Sequence, residues 1–292
     1  MTRQDGMSTV QDSTTDPKTD AAPAAHGPAV AAVNVGKVFE GQRGARVSAL
    51  EDINLTVERG EFVSLIGPSG CGKSTLMRLI ADLDQPTSGE LTVFGKSAHQ
   101  ARLDQDYGIA FQQAGLLPWR TVRQNIELPL QLHKVGKAER AERSSELLNL
   151  VGLTDFGDNF PDQLSGGMQQ RVAIARALAE SPNLLLMDEP FGALDEMTRE
   201  HMQGELAHIC AETGAAVVFV THSIPEAVFL ADRVVVLSPR PGRIRAIVDV
   251  KFTGATERTE LLRESKAFFS SVSEVREHLH GSADANPLGV DN

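Results

Sequence analysis

The sequence predicts an α/β protein with a mainly parallel sheet covered on both faces, an antiparallel β layer and an inserted α-helical subdomain. Three observations carry this. Short apolar runs at 62–66, 108–111, 184–187, 216–220 and 234–237 have strand length and alternate with stretches of helical spacing, the pattern of a parallel sheet. Residues 31–57 carry spaced Val, Ile and Leu, which fits an antiparallel layer. Residues 122 to about 160 lack any β-rich run and read as mostly helical.

Each element has its own reason. Residues 1 to about 30 are rich in Thr, Ser, Asp, Ala and Pro with almost no large apolar side chain, so a disordered tail is expected over 1–30. The domain proper is expected over 31–250, with the helical subdomain at about 113–165 inside it. The strand at 62–66 runs into a glycine-rich loop, and 74–83 follow with Leu76, Leu79 and Ile80 on one helical face. Helices are expected at 171–179 and at 199–213, the second closed by Gly214. From 260 to 279, Leu261, Leu262, Phe268, Phe269, Val272, Val275 and Leu279 recur at helical spacing. They predict a C-terminal helical extension over 251–280 that packs on the core or forms a dimer contact. Residues 281–292 are expected to fray. No internal repeat of usable period is present.

Composition narrows the function classes. The 292 residues are 41% hydrophobic and 23% charged, enough for one large globular domain. The formal net charge of −11 disfavours a non-specific nucleic-acid binder, which needs a basic face to release counterions. The two cysteines, Cys71 and Cys210, form neither a metal-type cluster nor a disulfide framework, so a reducing cytosol is the simplest setting. No apolar run approaches the roughly 20 residues of a membrane helix, and no apolar leader is visible. The chain is therefore read as neither membrane-spanning nor exported.

Two segments carry chemistry on their own residues. Gly67-Pro68-Ser69-Gly70-Cys71-Gly72-Lys73-Ser74 fits GxxxxGK[ST] between a strand and a helix. Its glycines let backbone N–H groups turn toward phosphates, and the helix N-terminus adds partial positive charge. Lys73 is expected to reach the β- and γ-phosphates and the Ser74 hydroxyl to ligate Mg²⁺, with Thr75 following it. Leu184-Leu185-Leu186-Met187-Asp188-Glu189-Pro190 is an apolar strand ending in two carboxylates. A sheet edge would set Asp188 beside the phosphate loop, in the Mg²⁺ shell, with Glu189 one residue further on to polarise a water. The bland alternative is a solvated acidic turn.

With GPSGCGKST, LSGGMQQR and LLLMDEP in this order, the chain resembles the ATP-binding subunits of ABC transporters over about 33–247. The resemblance implies the ABC ATPase fold with ATP and Mg²⁺ bound. Further matches agree with it: Gln112 after a short strand, the Gly192-Ala193-Leu194-Asp195 run, Thr221-His222 after an apolar strand, and Phe39 upstream. It implies that Phe39 faces the adenine, and that Gln112 contacts Mg²⁺ or the lytic water. It implies also that His222 bonds the γ-phosphate and positions Glu189. Ser165, Gly166 and Gly167 would contact the γ-phosphate of ATP held by a second subunit, with Asp195 coupling the two sites. A hydroxyl, glycine amides and a helix N-terminus suit that anion. The working unit is then a pair of ATPase subunits, a homodimer in the simplest case.

Relatives of this class differ in architecture. Lys73 and Ser165 stand only about 90 residues apart, a single-domain spacing without room for a long coiled coil. One such domain is present, whereas translation factors carry two, and no fused membrane helices appear. This favours a separate importer ATPase on the cytoplasmic side of the membrane, paired with permease subunits and, through them, an external solute-binding protein. The alternative is a soluble switch ATPase. FQQAGLLPWRTVRQNIELPL and THSIPEAVFLADRVVVLSPRPGRI are similar to the nitrate, sulfonate and taurine importer group, which includes transporters of pyrimidine precursors. The chain's only Trp, Trp119, either packs inside the helical subdomain or forms a permease docking surface with 112–119. After Ile244 the chain departs from that group's usual tail.

Overall fold

The computed structural model describes residues 27–41, 45–252, 258 and 260–281. Residues 1–26 and 282–292 of the expected tails lie outside them. The inner end of the N-terminal tail is corrected: Ala29 and Val30 are fully buried, and Val30 begins the first strand.

In chain order the elements are β1 (Val30–Glu40), β2 (Arg46–Val57), β3 (Phe62–Ile66), α1 (Lys73–Ile80), β4 (Ser88–Val93), β5 (Lys96–Ser97), α2 (Ala98–Leu103) and β6 (Tyr107–Ala110). Then come α3 (Val122–Ile126), α4 (Leu128–Leu132), α5 (Lys137–Leu150), α6 (Gly166–Ala177), β7 (Leu184–Asp188), α7 (Glu196–Thr213) and β8 (Ala216–Val220). The chain closes with α8 (Ile224–Leu230), β9 (Arg233–Leu237), β10 (Ile244–Asp249) and α9 (Lys266–His280). The smaller sheet is antiparallel, in the order β2-β1-β4-β5. The larger runs β10-β9-β3-β8-β7-β6, parallel except for the edge strand β10.

Every residue of β3, β7 and β8 is buried, which is why these runs, Ser64 and Asp188 apart, are apolar without alternation. Their side chains still point alternately to opposite faces. Phe62, Ile66, Leu185, Met187, Val217 and Phe219 enter one core, while Val63, Leu65, Leu184, Leu186, Val218 and Val220 enter the other. Each full burial stabilises the fold by about 1.5–3 kcal/mol, so the central strands form a rigid platform.

Several helix boundaries differ from the sequence reading because side-chain caps decide them. α6 starts at Gly166, not 171, since Ser165 Oγ accepts from Met168 N. α7 starts at Glu196, not 199, because Asp195 accepts from Thr198 N at 3.0 Å. The stretch 260–279 is not one helix. A 3₁₀ turn over Glu260–Glu264 precedes α9, which Ser265 caps through Phe268 N. Leu262, Phe268, Val272 and Val275 are buried where α9 packs on α8, β9 and β10, while Leu261 and Phe269 face solvent. Sequence reasoning left β4, β5, α2, α8 and β10 unassigned.

Candidate nucleotide site

Parallel strands bring their carboxyl ends to one edge, and four loops leave the larger sheet there. The phosphate loop follows Ile66, Gln112 follows β6, Glu189 follows β7 and His222 follows β8. The register Leu65↔Val220, Asp188↔Val220 and Ala110↔Met187 keeps these ends level. Ligands collect at such an edge in open α/β sheets. A cavity of about 560 Å³ opens there, lined by Phe39, Ser69, Gly70, Gly72, Lys73, Ser74, Thr75, Gln112, Glu189 and His222 among others.

The loop geometry suits an anion. Gly70 and Gly72 have φ of +74° and +105°, and Gly72 is the N-cap position of α1. Lys73 is buried, and its Nζ donates to Gly67 O at 2.8 Å and Pro68 O at 3.3 Å. The ammonium is thus held inside the loop by neutral acceptors. Gly67 serves as that acceptor and does not line the cavity. Cys71 does not line the cavity; it is buried, its amide donates to Pro68 O, and its Sγ lies beside Gly67. The strand-borne ring of Phe39 is 41% exposed at the cavity, with Lys37 Nζ 4.9 Å from its centroid.

The carboxylates separate into two environments. Ser74 Oγ donates to Asp188 Oδ1 at 3.0 Å. Burial pushes the Asp188 carboxyl above the usual carboxylate range, against the Ser74 hydrogen bond and with the neighbouring Glu189 charge adding to the rise. Glu189 lies further out. Gln112 Nε2 donates to Glu189 Oε2 at 3.2 Å, and His222 Nδ1 lies 3.3 Å from the same oxygen. Glu189 N donates to Val220 O at 2.9 Å, and its φ is +45°, in the left-handed region that is costly for a side-chain-bearing residue. Gln112 is bonded to Glu189 rather than to the Ser74–Asp188 pair.

Ser165, Gly166, Gly167 and Asp195 do not line this cavity. Ser165 and Gly166 are exposed at the start of α6. A Cβ on Gly167 would stand 3.1 Å from Ala193 O, so Gly167 has a packing reason within the chain. A Cβ on Gly166 would meet open space, so nothing in this chain's packing requires that glycine.

Three cavity residues escaped the sequence reading: Val47 and Ala49 on β2, and Arg240. Arg240 Nε donates to Gly70 O at 3.3 Å. It is carried there by the loop after β9, where Gly242 approaches so closely that a Cβ would stand 1.9 Å from Cys71 O. The Pro-Gly pair in Arg240-Pro241-Gly242 marks a turn, and only the turn was legible.

Trp119 is 70% exposed, which excludes packing inside the helical subdomain. The buried Asn125 fastens its loop. Asn125 Oδ1 accepts from Leu117 N at 2.8 Å, and Nδ2 donates to Leu117 O, Arg120 O and Thr121 O.

Fold and site together define an ATP-binding cassette, a phosphate-loop ATPase with an inserted helical subdomain. The ABC transporter family model matches residues 50–192. The chain is 50% identical over 228 residues to an ABC transporter ATP-binding protein of Methanocaldococcus jannaschii, covering 78% of this chain and 84% of that one. It is 46% identical over 252 residues to the nitrate import ATP-binding protein of a Synechocystis strain, covering 85% and 94%. It is 45% identical over 249 residues to the taurine import ATP-binding protein of Rhizobium johnstonii, covering 84% and 94%. A dimeric bacterial ABC transporter cassette superposes with a TM-score of 0.71 at 38% identity, over 76% of this chain and 99% of that one. A post-hydrolysis dimer bound to ADP and phosphate matches with the same score. The chain belongs to the ABC transporter family, whose ATP-binding subunits bind and hydrolyse ATP.

Proposed function

We propose that this chain is the ATP-hydrolysing subunit of an importer, energising uptake of a small solute of the nitrate, sulfonate, taurine or pyrimidine-precursor kind through separate membrane subunits. The observation that carries the reading is the meeting of Lys73, Ser74, Gln112, Glu189 and His222 in one cavity. Relatives named for nitrate and taurine import support the solute class.

In this reading the phosphate loop amides and Lys73 hold the β- and γ-phosphates, and Phe39 faces the base. Glu189 takes a proton from the attacking water, with Gln112 and His222 orienting its carboxylate and His222 bonding the γ-phosphate. The Ser74 hydroxyl and Asp188 carboxylate are hard oxygen donors set 3.0 Å apart, a fit for Mg²⁺ that keeps several waters. When bound, Mg²⁺ supplies positive charge to the phosphate oxygens. A cation beside Asp188 would also favour its ionised form, which burial opposes.

Ser165, Gly166 and Gly167 then complete the site of a second copy, and Asp195 joins the two sites. The exposed, sterically unneeded Gly166 supports this, as does the dimeric state of the similar cassette. Residues 112–119 form the contact with the permease on the cytoplasmic face, supported by the exposure of Trp119. No helix among the described residues is long and apolar enough to cross a membrane. The solute-binding protein acts only through the permease.

The test is coexpression with the membrane subunit encoded nearest its gene. The expected result is a complex whose ATPase rises when a solute-loaded binding protein is added. Full ATPase from the isolated chain, with no membrane subunit captured, would sink the transport reading.

A further inference from the structure

The loop carrying His222 is tied to the C-terminal extension by one buried relay of side chains. Thr221 is buried, and its hydroxyl donates to Glu226 Oε2 while accepting from Ser223 N at 3.0 Å. His222 is therefore gripped on both sides. Glu226 Oε1 accepts from Gln203 Nε2 at 2.9 Å, across from α8 to α7. Gln203 Oε1 in turn accepts from the Arg263 guanidinium. Arg263 lies in the 3₁₀ turn before α9, with its Cζ 3.8 Å from the Phe229 ring centroid and its Nε 3.9 Å from Glu200.

Each link has a physical reason. Glu226 and Gln203 are both nearly fully buried, and a buried carboxylate is costly unless its oxygens accept hydrogen bonds. Burial holds the Glu226 carboxyl above its usual range, with the bonds from Thr221 and Gln203 opposing the rise. An apolar side chain at this core position would avoid that cost. A side-chain amide can point either way round. A guanidinium at its oxygen fixes the orientation and leaves the NH₂ for Glu226. Turned over, Gln203 would set its oxygen against the carboxylate, and Thr221 would lose its fixed acceptor. Behind His222, a cavity of about 60 Å³ is lined by Glu189, Thr221, Ser223 and Glu226 among others, so a loosened loop has space to shift.

We infer that Arg263, in the C-terminal extension, is a positioning residue for ATP hydrolysis: through Gln203, Glu226 and Thr221 it fixes the loop that holds His222 against Glu189. The inference rests on the catalytic role proposed for His222. It makes the extension part of the turnover machinery and not only a cover for the core. Arg258 provides an internal control. It also holds the extension, donating to Phe229 O and Ala231 O at 2.9 Å and to Asp232 Oδ1 at 3.0 Å, and none of these acceptors belongs to the relay.

The test is steady-state ATP hydrolysis by the full chain, with KM and kcat read separately and folding followed by thermal melting. Arg263→Ala is expected to lower kcat about tenfold with KM for ATP unchanged, a loss in the range that misplacement of a catalytic group produces. Gln203→Met, of similar length but unable to relay, should do the same and serves if Arg263→Ala does not fold. The double variant should be no worse than either single one, because both break the same chain of contacts. Arg258→Ala should keep kcat even where it lowers the melting temperature. An unchanged kcat in both relay variants, equal losses in the Arg258 and Arg263 variants, or multiplying losses in the double variant would overturn the inference. His222→Ala separates the two levels. If it retains full kcat, the catalytic reading has failed. If it is inactive while Arg263→Ala and Gln203→Met are not, only the relay has failed.

Discussion

His222 Nδ1 stands 3.3 Å from Glu189 Oε2, the same oxygen that accepts from Gln112 Nε2 at 3.2 Å. One carboxylate oxygen is thus oriented from two different strand ends. Glu189→Gln keeps the shape and removes the proton acceptor. It should lower steady-state phosphate release by at least about 100-fold, the usual worth of a positioned base. ATP binding should persist, and size-exclusion chromatography with ATP should reveal a long-lived dimer. Full turnover in this variant would remove Glu189 from the mechanism.

Asp188 gives a pH-dependent stability effect whose sign follows from its surroundings. Burial raises its folded-state carboxyl above the ordinary aspartate value. A raised carboxyl costs stability once the pH exceeds the unfolded value, and the cost grows until the folded value is passed. Asp188→Asn removes the charge. In the nucleotide-free protein at neutral pH it should raise the melting temperature by about a few degrees. The gap between variant and parent should close as the pH falls to the ordinary carboxylate range. Equal melting at neutral pH would show that the site carries no such electrostatic cost. ATP hydrolysis should be lost in either case.

The parts of the site that were legible lie where a short sequence pattern fixes both backbone and chemistry. The phosphate loop and Thr221-His222 each follow a fully buried strand, Asp188 ends one with Glu189 next, and the apolar run announces the strand. Arg240 was not legible, because it reaches the cavity only through the approach of Gly242 to Cys71 O, a contact between distant segments. β10 is an edge strand with one buried residue, so it lacks both the continuous apolar run and a clean alternation. The break at Ser265 was hidden because Leu261 and Phe269 extend the helical spacing although both face solvent. Glu226 gave no signal, since a buried carboxylate reads in sequence as a solvated one.

Trp119 is 70% exposed on a loop that Asn125 fastens from beneath. Little packing is lost on truncation, so Trp119→Ala should change the unfolding free energy by no more than about 0.5 kcal/mol. If the loop docks the permease, the same variant should lose copurification with the membrane subunit while its basal ATPase is retained. Asn125→Ala strips four hydrogen bonds from a buried position and should destabilise the fold by about 1–3 kcal/mol. A Trp119→Ala protein that still captures the membrane subunit would move the docking surface elsewhere.

Gly166 lets the proposed contact between copies be tested apart from the needs of the fold. A Cβ there meets open space, and the residue sits in the first turn of α6, where alanine is a better helix former by up to about 1 kcal/mol. Gly166→Ala should therefore melt no lower than the parent. Ser165→Arg removes the cap on Met168 N, at a cost of about 1 kcal/mol, and adds bulk to the same exposed surface. Both variants keep the phosphate loop, so binding of a fluorescent ATP analogue should be unchanged. If this surface closes on the ATP of a second copy, Ser165→Arg should abolish the ATP-dependent dimer trapped in a Glu189→Gln background, and Gly166→Ala should weaken it. A dimer that forms equally well with Ser165→Arg would place the second copy against a different face.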